Sequence, residues 1–111
     1  DSAVISLCAM QAGDPGAFSV IPGTAKLVGT VRTFNPEVQA MVEKRLHEVC
    51  SGVALGLGAS AHLHYERIYP ATINTRDEAR FAMEVAQKLV GHEHVDRNMD
   101  PSMGAEDFSF M

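Results

Sequence analysis

Arg32 is the residue whose type and position most favour a chemical role in this sequence. It lies near the end of the alternating stretch GTAKLVGTVRTF, a pattern typical of a strand. Alternation places Arg32 on the face opposite Leu27 and Val31, and therefore away from the expected core. Two explanations are open. Either the guanidinium binds an anion, or it pairs with a surface carboxylate such as Glu66, in an exposed ion pair that contributes little stability.

Two groups of histidines have side chains of a type that binds metal ions. His62, His64 and Glu66 alternate along one predicted strand, so their side chains project from the same face. Imidazole and carboxylate groups are zinc ligands, but a closed zinc site needs a fourth ligand, and nothing here supplies it. His92 and His94 follow a predicted helix, where histidines help to satisfy free carbonyl groups. We therefore interpret both groups as surface residues and expect no metal ligand among them.

Adjacent carboxylates occur at Glu106 and Asp107, in the stretch MGAEDF. Two neighbouring side chains point in different directions, which disfavours a joint role as acid and base. Acidic residues are also favoured at the start of a helix by the helix dipole. The sequence contains no Ser-His-Asp set, phosphate-binding glycine loop or Cys-x-x-Cys motif. A helix start is therefore the simpler interpretation of this pair.

Composition places the 111 residues among ordinary soluble globular proteins, with 46% hydrophobic and 21% charged residues. A net charge of −5 argues against nucleic acid as a partner, because phosphate binding needs clustered Lys and Arg. No apolar run approaches the roughly 18 residues needed to span a bilayer, so no membrane partner is expected. Cys8 lies in a strand-like run and Cys50 in a helix-like one, far apart in sequence. Two such cysteines do not make a disulfide framework, so we expect both to be buried free thiols, and a cytoplasmic location fits this.

Three stretches of the sequence predict strands, at residues 3–10, 24–34 and 60–70. Each alternates in polarity or is apolar throughout, and Pro70 would stop the third. Ile5, Leu7 and Ala9 are expected on one face of the first strand, and the core face of the second strand is expected at Ala25, Leu27, Gly29 and Val31.

Two helices are predicted, one after the second strand and one after the third. Asn35 and Pro36 suit the cap and the first position of the first helix, which we expect to end near Gly56. A capping box formed by Thr75 and Glu78 opens the second. The order of elements predicts an α+β fold, an antiparallel sheet with helices on one face. The apolar positions at helical spacing in the first helix are Val38, Met41, Val42, Leu46, Val49 and Val53.

Three motifs in this order resemble metallopeptidase family 20, especially its hippurate hydrolase, IAA-amino acid hydrolase and aminoacylase branch. The first is VIP at residues 20–22 followed by GTVRT at residues 29–33. The second is YPATIN at residues 69–74, and the third is PSMGAEDFSFM at residues 101–111. The family usually has Asn before Val-Ile-Pro, where this chain has Ser19. Together the motifs span nearly the whole chain.

The resemblance implies that residues 1–69 are part of a ferredoxin-like lid and dimerisation domain, and residues 70–111 part of a catalytic domain. It implies a homodimeric parent enzyme that hydrolyses N-acyl amino acids with two divalent metal ions, zinc or manganese. Arg32, Ser19 and Gly104 match substrate-binding positions, with Arg32 on the substrate carboxylate. The family's metal ligands and general base match no position here. The resemblance therefore implies that the chain alone is inactive.

A second hypothesis is a non-enzymatic α+β module that binds a partner or a small anion through Arg32. Both ends of the chain look cut from something longer, so part of any active site is expected to lie elsewhere. The sequence opens within a predicted strand, at DSAVISL, and stops directly after GAEDFSFM, so we expect a fragment of a longer protein.

Overall fold

Two compact units make up the chain in the computed structural model, which describes residues 2–111. The first unit ends at Arg67 and contains a β-hairpin and a long helix; the second is Ile68–Met111. An antiparallel sheet with helices confirms the predicted α+β class. The assignment of residues 1–69 to a lid domain and of residues 70–111 to a catalytic domain stays a prediction.

The hairpin pairs strand β1, Ala3–Ala12, with strand β2, Ala25–Thr33, in antiparallel register. A bulge interrupts this register at Cys8, so that Leu7 lies opposite Gly29 and Ala9 opposite Val28. The extra residue moves every later side chain of β1 to the other face. Met10, and not Ala9, therefore shares a face with Ile5 and Leu7. The predicted grouping of Ala9 with Ile5 and Leu7 on one face of β1 is therefore wrong.

Gly29 is the residue of β2 that the bulge requires to be small. A Cβ atom at this position would lie 2.5 Å from the backbone carbonyl oxygen of Ser6. No side chain fits at that distance without moving the backbone of β1. Glycine in a strand interior commonly marks such a close approach of another backbone.

Helix α1, Pro36–Gly56, begins as the sequence predicts. The side chain of Asn35 accepts a hydrogen bond from the backbone N–H of Glu37 at 2.7 Å, and Pro36 takes the first turn. The chain leaves the helix through Gly58, whose φ of 70° is in the left-handed region that favours glycine.

Burial in the described part of the chain centres on Val42 of α1, which is 6% exposed. Val38 and Leu46 of the same helix are half-buried. The predicted core face of β2 is not enclosed, since Leu27 is 58% exposed. One helix and a two-stranded sheet have too little surface to cover both elements. The predicted apolar positions of α1 that lie exposed for the same reason are Met41, Val49 and Val53.

Residues 59–75 form neither helix nor strand, so the strand predicted at residues 60–70 is wrong. Its alternation nevertheless persists, because Leu63 and Tyr65 are half-buried while His64 and Glu66 are exposed. A strand needs a hydrogen-bonded neighbour. Within residues 2–111 no other segment forms a ladder with this one.

The second unit contains helix α2, Arg76–Val90, with Thr75 at its N-cap. The Thr75 side chain makes no cap hydrogen bond to the helix backbone, so this half of the predicted capping box is absent. Hydrogen bonding to the Thr75 side chain and to its own backbone lowers the pKa of Glu78. Two short 3-10 helices follow, His92–His94 and Asp107–Phe110. Asp107 thus lies at the start of a helix, as predicted from the adjacent acidic residues of this stretch. No helix within residues 2–111 has the length and apolarity needed to cross a membrane.

Candidate functional site

Arg32 lies on β2 directly opposite Val4 of β1, and their side chains share a face with the paired Ser6 and Thr30. The residue is half-buried. Arg32 takes part in an interaction within the chain and is not without a partner. The strand ladder therefore fixes the backbone that carries the guanidinium, while part of the side chain stays accessible.

Lys26 is the second basic residue on this face of β2, opposite Gln11. Six residues separate it from Arg32, which at about 3.3 Å per residue places the two Cα atoms roughly 20 Å apart. A small anion does not span that distance. Arg32 is therefore the candidate anion contact at its end of the hairpin, and Lys26 provides a natural control position.

Ser19 lies at the opposite end, in the loop of residues 13–24 that joins β1 to β2. The Asp14 side chain accepts a hydrogen bond from Gly16 N–H at 2.8 Å, and its carbonyl accepts one from Ala17 N–H at 3.0 Å. A further bond joins Val20 N–H to the carbonyl of Ala17 at 3.0 Å. Ser19 is exposed on this internally hydrogen-bonded loop.

Ser19 and Arg32 are not brought together by the hairpin. The loop enters β2 at Ala25, and Arg32 lies seven residues further along the strand, a rise of about 23 Å. Both residues match substrate-binding positions of the resembled family. The length of β2 therefore separates Arg32 from the end of the loop that carries Ser19.

Gly104, the third predicted substrate-binding residue, lies in the second unit. Its N–H donates a weak hydrogen bond to the Ser102 hydroxyl at 3.3 Å. Tyr69 and Phe110 meet edge-to-face, with ring centroids 5.9 Å apart and planes at 62°. This contact joins the YPATIN and PSMGAEDFSFM motifs within one unit, although 26 residues separate them in sequence.

The described residues offer no metal centre. Within residues 2–111 no three side chains of the types His, Cys, Asp and Glu lie close enough together to hold a metal ion. His62, His64 and Glu66 are exposed along the segment without secondary structure. His94 lies beside Glu93, with a nitrogen–oxygen distance of 3.7 Å, in the short helix after α2. The two metal ions that the resemblance implies therefore have no ligand set in this part of the chain.

The cysteines show one confirmed and one wrong expectation. Cys8 and Cys50 are both free, as predicted. Neither is buried, since Cys8 is exposed and Cys50 is half-buried.

A cluster of Glu43, Tyr65 and Arg67 was not anticipated from the sequence. Arg67 donates two hydrogen bonds to one carboxylate oxygen of Glu43, from Nη2 at 2.6 Å and from Nε at 3.2 Å. Burial raises the pKa of Tyr65, the negative charge of Glu43 raises it further, and Arg67 lowers it. The cluster joins Arg67, at the end of the segment of residues 60–67, to helix α1. Its sequence signal is the alternation that turns Leu63 and Tyr65 inward.

Comparison with known proteins places these motifs in a family. The profile described as Peptidase family M20/M25/M40 matches residues 4–111. Hippurate hydrolase of Campylobacter jejuni is 33% identical over 110 residues, which is 99% of this chain and 28% of that protein. N-acetylcysteine deacetylase of Bacillus subtilis is 35% identical over 108 residues, 97% of this chain and 27% of that protein.

A plant relative has similar coverage. IAA-amino acid hydrolase of Arabidopsis thaliana is 31% identical over 114 residues, 99% of this chain and 25% of that protein. The chain thus spans roughly a quarter of the length of these relatives. No solved structure matches it.

Proposed function

The chain belongs to Peptidase family M20/M25/M40, and from that premise we propose that its parent protein is an amidohydrolase of N-acyl amino acids. By parent protein we mean the longer protein of which these residues would be one segment. The observation that carries the proposal is the family match over residues 4–111, with relatives whose names specify hydrolysis or deacylation. The reaction would release a carboxylic acid and an amino acid.

Arg32 would bind the substrate carboxylate. A guanidinium offers five N–H donors in a planar fork, enough to hold a carboxylate in addition to a partner within the chain. Its place in the β1–β2 ladder supports this role, because an ordered backbone limits the entropy lost when the substrate is bound.

Ser19 and Gly104 would add weaker polar contacts to the substrate. The exposed Ser19 hydroxyl can donate or accept a hydrogen bond. The Gly104 N–H would exchange the Ser102 hydroxyl for a substrate oxygen. Both contacts would orient the substrate and would not participate in bond cleavage.

The hydrolytic chemistry would be supplied by two divalent metal ions, zinc or manganese, bound elsewhere in the parent protein. The described residues do not fit such a centre. The contribution of this chain is therefore to bind and orient the substrate, and we expect the chain alone to be inactive.

A homodimer would reconcile two of the proposed substrate contacts. Because Arg32 and the loop that carries Ser19 lie at opposite ends of β2, two copies of the chain would bring both residues to one small substrate. Exposed apolar side chains on the hairpin provide surface for such an association. The free thiols suit a reducing compartment, so we propose that the parent enzyme is cytoplasmic.

The proposal is tested by kinetics of the parent protein on N-acyl amino acids. If Arg32 binds the carboxylate, Arg32→Ala should lower kcat/KM by about 2–3 kcal/mol in transition-state free energy, as expected for loss of a charge-assisted hydrogen bond. Arg32→Lys should recover only part of this loss, because an ammonium group lacks the bidentate fork. Lys26→Ala, which removes a cation from the same face, is the matched control and should keep full activity.

A substrate whose carboxylate is replaced by an amide completes the test. The wild type should lose activity on it to the level of Arg32→Ala, and the variant should be indifferent to the change. Equal losses in both proteins would disprove the carboxylate role of Arg32. Absence of activity on every N-acyl amino acid would reject the proposed function itself.

A further inference from the structure

The loop between β1 and β2 carries the most exposed apolar side chains of the first unit. Phe18 is 96% exposed and Ile21 is 91% exposed, and Val20 between them is also largely accessible. Ser19 lies within this run. An exposed apolar cluster of this kind commonly marks a binding surface.

The cluster is presented by a loop that its own hydrogen bonds hold in shape. Asp14 accepts hydrogen bonds from Gly16 and Ala17, and Ala17 accepts one from Val20. At the base of the loop, Gly13 has a φ of 69°, and a Cβ atom there would meet the ring of Pro22 at 3.5 Å. A frame of this kind displays side chains without a large entropic cost on binding.

We propose that Phe18 and Ile21 contact the acyl group of the substrate and set the preference for large apolar acyl groups. This inference rests on the proposed function, in which Ser19, between these residues, touches the substrate. The benzoyl group of hippurate and the acetyl group of N-acetylcysteine are both uncharged, so apolar contact is the interaction that can distinguish the large acyl group from the small one. The names of the relatives differ in this part of the substrate, from hippurate to N-acetylcysteine.

The geometry makes the cluster suitable for an acyl group and not for the carboxylate. Its side chains are apolar, and the loop presents no Lys or Arg between Gly13 and Thr24. Arg32 lies about 23 Å along β2 from the end of the loop. The cluster and the arginine of one copy would therefore serve different ends of the substrate, bound in different copies of the proposed homodimer.

The experiment compares two substrates that share one amino acid, N-benzoylglycine and N-acetylglycine, in the parent protein. Phe18→Ala should lower the ratio of kcat/KM for the benzoyl substrate to kcat/KM for the acetyl substrate by about tenfold. Phe18→Leu, which keeps an apolar side chain of similar volume, should retain most of the ratio. Ile21→Ala should change it in the same direction as Phe18→Ala and by less.

Leu57→Ala is the matched control, because Leu57 is 81% exposed in the same unit but lies outside the loop. It should leave the ratio unchanged. An equal loss on both substrates with Phe18→Ala, especially with a change in oligomeric state, would overturn the inference and assign the cluster to a protein contact. If the wild type hydrolyses neither these substrates nor any other N-acyl amino acid, the proposed function fails as well, which is a different result.

Discussion

Strand β2 and the segment of residues 60–67 carry the same kind of alternating sequence, yet β2 forms a strand and the segment does not. In β2, Arg32 and Thr30 share one face, and the backbone is paired with β1 along its length. In the segment, Leu63 and Tyr65 turn inward, but the backbone has no ladder partner within residues 2–111. Alternation thus specifies which side chains face inward. Pairing decides whether a strand forms.

The largest effect is expected when the pairing of β2 with β1 is disrupted, because this pairing is what the segment of residues 60–67 lacks. Gly29→Ala places a Cβ atom 2.5 Å from the Ser6 carbonyl oxygen, so the strands must separate at the bulge. We expect a loss of about 2–3 kcal/mol in the free energy of unfolding, typical of overpacking against a structure that cannot yield. Urea denaturation of the parent protein measures it.

Gly52→Ala provides the matched control for this substitution. Gly52 lies within α1, and a Cβ atom there meets nothing within 4 Å. Its replacement should stabilise the helix slightly, by up to about 1 kcal/mol. If Gly29→Ala were as well tolerated as Gly52→Ala, the bulge would not be the close approach that the structure shows.

A smaller effect is expected when the helix between the two regions is altered. Val42 of α1 is buried, and both β2 and the segment of residues 60–67 contact this helix. Val42→Ala removes two methyl groups from a packed environment and should cost about 1.5–2 kcal/mol in the free energy of unfolding. Val53→Ala, at a position 59% exposed on the same helix, is the control. An equal cost at both positions would show that Val42 is not the centre of the packing.

Local features of this chain were predictable from sequence because their causes are local. Asn35 accepts the hydrogen bond of Glu37 two residues away, so the start of α1 depends only on its own residues. Thr75 likewise occupies the predicted N-cap of α2, although its side chain makes no cap hydrogen bond to the helix backbone. The class of the fold follows from such elements.

Features that depend on distant backbone were not predictable. The bulge at Cys8 depends on how β1 and β2 pair, and it exchanged Ala9 with Met10 on the faces of β1. Nothing in the alternation of residues 60–70 reveals whether a neighbouring strand is present. A period defines a face, whereas a ladder is a relation between two segments.

The candidate site also has local features, which the sequence predicts, and long-range contacts, which it does not predict. The face that carries Arg32 follows from alternation, and the structure places it there. The Glu43–Arg67 hydrogen bonds join residues 24 positions apart, on elements of different type. No short-range pattern indicates such a contact. The separation of Ser19 from Arg32 likewise became visible only with the hairpin.

The cluster of Glu43, Tyr65 and Arg67 joins the segment of residues 60–67 to α1, and the pKa of Tyr65 reports on that contact. Burial raises the pKa of Tyr65 above its ordinary value of 10, with Glu43 adding to the increase and Arg67 opposing it. In the 111-residue chain with Tyr69→Phe, Tyr65 is the remaining tyrosine, because these residues include two. Glu43→Gln should then lower the pKa of Tyr65, and Arg67→Ala should raise it. Ultraviolet absorbance of the phenolate during a pH titration measures both shifts.

The sign of the accompanying change in stability follows from the raised pKa. Below the ordinary pKa of 10 the phenol is neutral in both folded and unfolded chains, so its contribution to stability is fully present. As pH rises above 10, the unfolded chain loses the proton first, and stability falls until the folded pKa is passed. Thr24→Val, a substitution in the loop between β1 and β2, should leave the titration unchanged. Shifts of the same sign with Glu43→Gln and Arg67→Ala would show that the segment has left the helix in both variants, because intact opposite charges must act on Tyr65 in opposite directions.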